Sequence, residues 1–426
     1  MLLVLGRVWA LLFGMTLIMT GNGLHATLLA VRGGIEGFSS AELSVVMSAY
    51  FVGFLSGARM APRLIRRVGH VRVFAAFASF MSATLIAFPL VAEPWAWVLL
   101  RVLFGFFMSG VYVTAESWLN NDSPNDLRGK ILSAYMLAQM AGMVAAQWLL
   151  TTADTAGATL FILASILVSL SFGPILLAAT ATPAAETSKP MSLRQLYENS
   201  PLGTIGLFLL GGVFAAQAGM GAVYGTQAGL SETGIALFVA AMFLGGLVLQ
   251  FPVGWVSDRM DRRLLILLLA ALGVAACGLG FFAGATLVPL LVAAFAMGGV
   301  ASPPYSLLTA YTNDYLDADD MPAASGGLVF IYGLGAIFGP LVIGGAMDRA
   351  GAQSFWLVLA LLFAMVASYA LWRMAQRPTP PVEEMAPYVG VMPASTPLAV
   401  ETAQAWSNEL QERDEADGAD GTDARD

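Results

Sequence analysis

The chain has 426 residues, 58% of them hydrophobic and only 11% charged, with a mean hydropathy of +0.75. A soluble domain carries about 25% charged residues, so composition excludes an ordinary soluble protein and points to a polytopic membrane protein in contact with a lipid bilayer. The formal charge of −8 is uneven: residues 378–426 hold eleven acidic and two basic side chains, net −9, and the remaining residues hold 17 acidic and 18 basic, net +1. A near-neutral body with an acidic tail gives no support to nucleic acid as a partner.

In chain order, Arg7 precedes an apolar run from Val8 to Val31 that is too long for the core of a signal peptide. It reads as a first membrane helix that starts inside. Spanning the roughly 30 Å hydrocarbon core takes about 20 apolar residues. Twelve segments meet this, near 8–30, 42–62, 73–92, 95–117, 130–150, 157–180, 202–224, 233–256, 264–284, 287–311, 323–346 and 354–374. The expected fold class is an all-α polytopic membrane protein of 12 transmembrane helices in two six-helix halves, residues 1–180 and 201–375. A cytoplasmic linker, 181–200, joins them and carries Pro183, Lys189, Pro190 and Arg194. The tail, 376–426, is rich in Pro, Ala, Thr and Asp and reads as disordered and cytoplasmic.

Cation placement sets the orientation. With both termini inside, Arg7, the cluster Arg59 to Arg72, Arg128, Lys130, Lys189, Arg194, Arg259, Arg262, Arg263, Arg373 and Arg377 fall on or near the cytoplasmic face. Only Arg32 and Arg349 fall outside, and Arg101 lies within the fourth segment. Arginine and lysine favour the inner face.

The halves repeat. A shift of 192 residues brings Phe51 onto Phe243, Gly53 onto Gly245, Arg67 onto Arg259, Asn121 onto Asn313 and Asp122 onto Asp314. A shift of 197 then brings Tyr135 onto Tyr332 and Gly142 onto Gly339. Two repeated helical halves are a transporter architecture, with the substrate site between them near mid-membrane.

A charged island stands out at Gly254-Trp255-Val256-Ser257-Asp258-Arg259-Met260-Asp261-Arg262-Arg263, since residues 233–257 and 264–313 carry no charge. Charges cost several kcal/mol in hydrocarbon, so this is a turn at the membrane surface. Gly254, Asp258, Arg259, Arg262 and Arg263 resemble the loop signature of the major facilitator superfamily of secondary transporters, with Asp261 where the family usually has glycine. The first-half copy is degenerate: Pro62 stands for the glycine and Arg66 for the aspartate. Leu100-Arg101-Val102-Leu103-Phe104-Gly105 resembles a second superfamily motif. Gly335-Ala336-Ile337-Phe338-Gly339-Pro340 resembles a third, a glycine-proline motif of drug antiporters. Ala115-Glu116-Ser117-Trp118-Leu119-Asn120, Tyr332 to Ile337, Tyr305 to Leu308 and Thr312-Asn313-Asp314 look like the YcaD-like branch. The resemblance covers residues 5–375. It implies alternating access, a loop acid that helps hold the cytoplasmic side closed, proton coupling as the default, and efflux as the commoner direction.

Polar residues within the apolar segments are the candidate site, because they are costly there. Asn22 and His25 lie beside Gly21 and Gly23, and position 25 maps by the repeat onto Gln217. They are read as substrate contacts from the two halves, with His25 able to titrate near neutrality. Gln139, Tyr305 and Tyr332 are further substrate candidates. Two readings stay open for Arg101: a partner for a proton-carrying acid or an anionic substrate, or a structural bond to carbonyls. Glu116 lies fifteen residues later, about 22 Å along a helix, too far to pair with Arg101. It is expected to bond Arg128 or Arg67 in a gate that also uses Asp258 and Arg259. Pro303-Pro304 must break its helix.

The single cysteine, Cys277, supports neither a disulfide nor a metal. No Gly-x-x-x-x-Gly-Lys-Ser/Thr loop is present, so ATP is not the direct energy source and no cofactor is expected. No nucleophile stands in register with a base, which argues against an enzyme. The expected function is a secondary active transporter of a small molecule in the bacterial inner membrane, proton-coupled. The alternative is a non-transporting membrane sensor or scaffold on the same fold.

Overall fold

The computed structural model describes residues 2–122, 128–178, 191–316, 320–376, 385, 387–393, 395–407 and 409; among these no strand is present. The first half is built from α1 (Leu2–Ile35), α2 (Ser40–Val68), α3 (His70–Ala87), α4 (Pro94–Asp122), α5 (Arg128–Leu150) and α6 (Thr159–Ala178). A short helix α7 (Leu193–Asn199) precedes the second half. That half holds α8 (Pro201–Ala215), α9 (Gly221–Gln227), α10 (Glu232–Ser257), α11 (Arg262–Ala283), α12 (Leu287–Ala301), α13 (Pro303–Asn313), α14 (Met321–Ala350) and α15 (Ser354–Met374). A last helix, α16, covers 397–407.

Among the described residues ten helices are long and apolar enough to cross a membrane, with α8–α9 and α12–α13 each forming one of them. α5 and α6 pack beside α1 and are not among these ten. The two interrupted spans have local causes. α8 passes into α9 through a widened turn at Ala216–Met220. α12 ends at Ala301, and Pro303 and Pro304 occupy the first turn of α13. There the missing amide donors would have had no intrahelical partner anyway. The expected break is therefore a clean restart rather than a strained kink. α2 starts where Ser39 and Glu42 form a reciprocal cap: the Glu42 N–H donates to Ser39 Oγ at 3.2 Å, and the Ser39 N–H donates to Glu42 Oε2 at 2.8 Å.

The internal repeat is visible in packing. α2 crosses α4 so closely that a Cβ on Gly53 would collide with the Val102 carbonyl, and one on Gly105 with the Tyr50 carbonyl. α10 crosses α12 in the same way, with Gly245 against the Phe295 carbonyl and Gly298 against the Met242 carbonyl. Small residues permit such backbone approach, which gives helices in lipid their packing energy. The halves meet through α2 against α14 and α5 against α10, the two crossings that the repeat interchanges. At the end of the bundle away from the arginine clusters the halves are joined by side chains: Gln227 bonds Ser40, and Thr155 bonds Glu232.

The tail reading needs correction. Residues 387–393 and 395–407 pack into the bundle, with Val391, Met392, Thr396 and Val400 each no more than 6% exposed. The averaged acidity of the tail hid this. Between 385 and 408 the only acid is Glu401, and the other ten of the tail's eleven lie outside that stretch. Ala399, Val400, Ala403, Gln404 and Ser407 are all buried and fall on one face of α16. Residues 410–426 lie outside the described residues, as do 181–190 of the expected linker.

Candidate functional site

A central cavity of about 60 Å³ lies between the halves. Asn22, Met47, Tyr50, Arg101 and Tyr112 line it from α1, α2 and α4, Phe214 and Phe243 from α8 and α10, and Met392 from the C-terminal segment. Its wall is mainly apolar and aromatic, with few polar groups, as small-molecule sites tend to be.

Arg101 is the charged group of this cavity and is 4% exposed. Its Nη1 lies 3.5 Å from His25 Nδ1, its Nη2 lies 3.6 Å from the Met47 sulfur, and its guanidinium carbon stands 5.0 Å from the Tyr50 ring centroid. Among the described residues no carboxylate is in salt-bridge reach of it, and Nε has no partner. Among the same residues it bonds no carbonyl. A buried cation in this state costs several kcal/mol, partly offset by cation–π attraction to Tyr50.

The structure moves His25 and Gln217 off the cavity wall, against the sequence expectation. His25 is fully buried, boxed by Phe88, Phe104 and Phe161 at ring distances of 4.5, 4.9 and 6.2 Å. It stands behind Arg101 and supports it from within the first half. Gln217 is 1% exposed in the widened turn between α8 and α9, with neither amide atom bonded. Of the other substrate candidates, Asn22 lines the central cavity. Tyr332 lines a smaller one of about 20 Å³, shared with Tyr50, Phe51, Pro393 and Ser395. Tyr305 packs edge-on against Tyr332 at 4.8 Å, and both hydroxyls lack partners. Gln139 is fully buried with both amide atoms unbonded and lines neither cavity.

The gate residues also differ from expectation. Glu116 is 2% exposed and does not pair with Arg67, which is exposed. It accepts the Thr396 N–H at 3.2 Å and bonds the Thr396 hydroxyl. Arg128 begins α5, and its side chain lies outside the described residues. Asp258 caps the end of α10 and accepts the Tyr388 N–H at 2.8 Å. Burial raises its pKa, while that bond and the Arg262 and Arg259 charges lower it. Arg259 turns back to the Trp255 carbonyl, 2.9 Å, and lies over the Trp255 ring at 4.2 Å. The loop signature touches the C-terminal segment through Asp258.

Sequence reasoning passed over three features here. Tyr50 and Tyr112 line the cavity together with Arg101. Arg262 and Asp314 form a pair at 2.5 Å, their side chains 1% and 3% exposed, tying the start of α11 to the end of α13. The third is the C-terminal segment. Ser306 Oγ donates to the Val391 carbonyl at 3.1 Å and accepts its N–H at 2.9 Å. Gln250 donates to the Tyr388 hydroxyl at 2.7 Å, Gln404 to Asn313 at 2.8 Å, and Ser325 to Gln404 at 2.7 Å. Burial pushes the Glu401 carboxyl up to about 7, so the docked helix sheds part of its only charge at neutral pH.

Comparison with known proteins agrees with this architecture. The model of the Major Facilitator Superfamily matches residues 11–231 and 203–407. The chain is 24% identical over 363 residues, 85% of it and 92% of the relative, to the uncharacterized MFS-type transporter YcaD of Escherichia coli O9:H4 (strain HS). Its fold resembles the nucleoside transporter NupG, with TM-score 0.71 and 12% identity over 87% of this chain and 99% of that one. It also resembles the D-xylose-proton symporter, with TM-score 0.68 and 13% identity over 89% and 98%. The chain belongs to the major facilitator superfamily, resembles its YcaD-like branch, and is a multi-pass membrane transporter rather than an enzyme.

Proposed function

We propose that the chain moves a small organic anion across the bacterial inner membrane by alternating access, coupled to protons, with both termini in the cytoplasm. One observation carries the substrate class: Arg101 is buried at the wall of the central cavity, with no acid among the described residues to neutralise it. A carboxylate, sulfonate or phosphate would supply that partner through charge-assisted hydrogen bonds. The body of the substrate would rest on Met47, Phe214 and Phe243, with Asn22 and Tyr112 as polar contacts. His25 positions Arg101 in this reading. Gln139, Gln217, Tyr305 and Tyr332 carry unbonded polar atoms that a moving site can present. Glu116 is the proton-carrying group, since it is the acid buried within α4, and a solved neighbour of the same fold is a proton symporter. Efflux is the direction that the family resemblance implies. Asp258 and Arg259, with Arg67 and Arg128, belong to the cytoplasmic gate.

The substrate class is tested on purified protein by ligand-induced thermal shift with small organic acids, neutral sugars and nucleosides, and organic cations. A stabilising ligand at a hundredfold excess over its Kd adds about 2.7 kcal/mol. An organic acid should stabilise the wild type, and Arg101→Gln should weaken its binding about 10–100-fold, as loss of a hydrogen bond to a charged group does. Stabilisation by neutral or cationic compounds alone, or equal binding of the acid by Arg101→Gln, would overturn the anion reading. Orientation has its own test: alkaline phosphatase fused after Arg377 should show no periplasmic activity, and high activity there would reverse the assignment.

A further inference from the structure

The C-terminal segment occupies the route between the central cavity and the arginine-rich end of the bundle. Its bonds reach α4 through Glu116, α10 through Gln250, α13 through Ser306 and Asn313, and α14 through Ser325. It thus touches both halves. Met392 packs with Met136 and Met140 of α5 and forms part of the cavity wall. With the segment in place the cavity holds about 60 Å³. That is room for a few waters, at some 10–15 Å³ of such volume each. Small-molecule pockets run to about 300–1,000 Å³. With Met392 in the cavity wall, the docked segment limits the room left for a substrate.

The segment also stands in the way of the conformational cycle. The opposite end is closed by the Gln227–Ser40 and Thr155–Glu232 bonds. Opening it requires α4 and α13 to approach each other at the arginine-rich end, where Thr396 and Val391 now lie between Glu116 and Ser306. The chain length between α15 and the segment permits withdrawal. From Met374, the end of α15, to Pro387 is thirteen residues, which reach about 43–47 Å when extended.

We propose that residues 387–407 are an autoinhibitory plug, which fills the cytoplasmic vestibule and holds the halves apart until it withdraws. The proposal rests on alternating access but not on the anion assignment. The docked segment contacts the same loop acid, Asp258, that the family signature supplies. Leaving and closing are thereby linked at one residue.

The test uses thiol chemistry, with no substrate needed. In a Cys277→Ser background, Met140→Cys places a thiol beneath Met392. A charged, membrane-impermeant maleimide is added to inside-out vesicles. Labelling should be slow in the full chain, and at least tenfold faster in a chain ending at Gln376. Adding a synthetic peptide of residues 387–407 should restore protection. Thr396→Asp sets a carboxylate against Glu116 and should quicken labelling in the full-length chain, which covers the case of a truncated chain that folds badly. Equal labelling rates in the full, truncated and Thr396→Asp chains would overturn the plug. The hold on the cycle is read separately, from oxidative cross-linking of Asn120→Cys with Leu316→Cys at the ends of α4 and α13. Removal of the segment should raise the yield severalfold. An unchanged yield would show that the segment fills the vestibule without restraining the halves, and would overturn autoinhibition. A failure of organic acids to bind leaves both readouts as they are.

Discussion

Asp314→Asn should lower stability by about 3–5 kcal/mol, the effect of removing one partner from a buried ion pair. Asparagine keeps the shape of the side chain and removes only the charge, so Arg262, with its side chain 1% exposed, loses the Asp314 charge in a site shielded from water. The pair bridges the start of α11 and the end of α13, so the loss should appear as a lower unfolding temperature in detergent and as a poor yield of folded protein. The double variant Arg262→Met with Asp314→Leu removes both charges and should recover much of the loss, since apolar replacement of a buried pair is often near neutral. A double variant no more stable than Asp314→Asn would show that the pair matters for some reason other than charge. Exposed pairs set the contrast. Arg194 and Glu198 lie 2.8 Å apart but are 88% and 55% exposed, and such pairs contribute about 0–1 kcal/mol. Glu198→Gln should therefore change the unfolding temperature little.

Much of the architecture was legible in the sequence because lipid imposes a simple grammar. A run such as Leu264 to Ala283 admits one structure in hydrocarbon, and arginine placement orders such runs in the membrane. The repeat was legible as well: the register that matched Gly53 with Gly245 reappears as two equivalent helix crossings. The site was harder to read. His25 and Gln217 were chosen as polar groups at matching positions, but polarity within a span does not say which wall a side chain faces. His25 turned toward three phenylalanines and supports Arg101, while Tyr50 and Tyr112, which look like packing residues in sequence, face the cavity. Glu116 was assigned an arginine partner by charge logic. The Arg128 side chain lies outside the described residues, and among these Glu116 bonds Thr396, 280 residues away in a tail whose mean composition argued for disorder. The signal was present as an apolar, nearly uncharged window inside an acidic stretch, and a shorter averaging window would have shown it.

Gly53→Leu and Gly245→Leu should each prevent folding, and to a similar degree. At both positions even a Cβ would overlap a carbonyl of the crossing helix, Val102 in one half and Phe295 in the other. Backbone cannot rotate away as a side chain can, so the helices must separate. Overpacking a tight core costs about 1–3 kcal/mol when side chains yield, and more is expected where backbone must move along the whole crossing. The lost contacts are the dispersion contacts that hold helices together where water provides no drive. Alanine at the same positions should be milder but still destabilising. Gly278→Ala provides the control: it lies within α11 with nothing within 4 Å of its Cβ position, so alanine should be neutral or stabilising by up to about 1 kcal/mol through helix propensity. Monodispersity in detergent and the unfolding temperature measure all of these. If Gly53→Leu folds normally while Gly245→Leu does not, the two crossings are not equivalent, and the repeat extends to sequence register but not to the packing that both halves need.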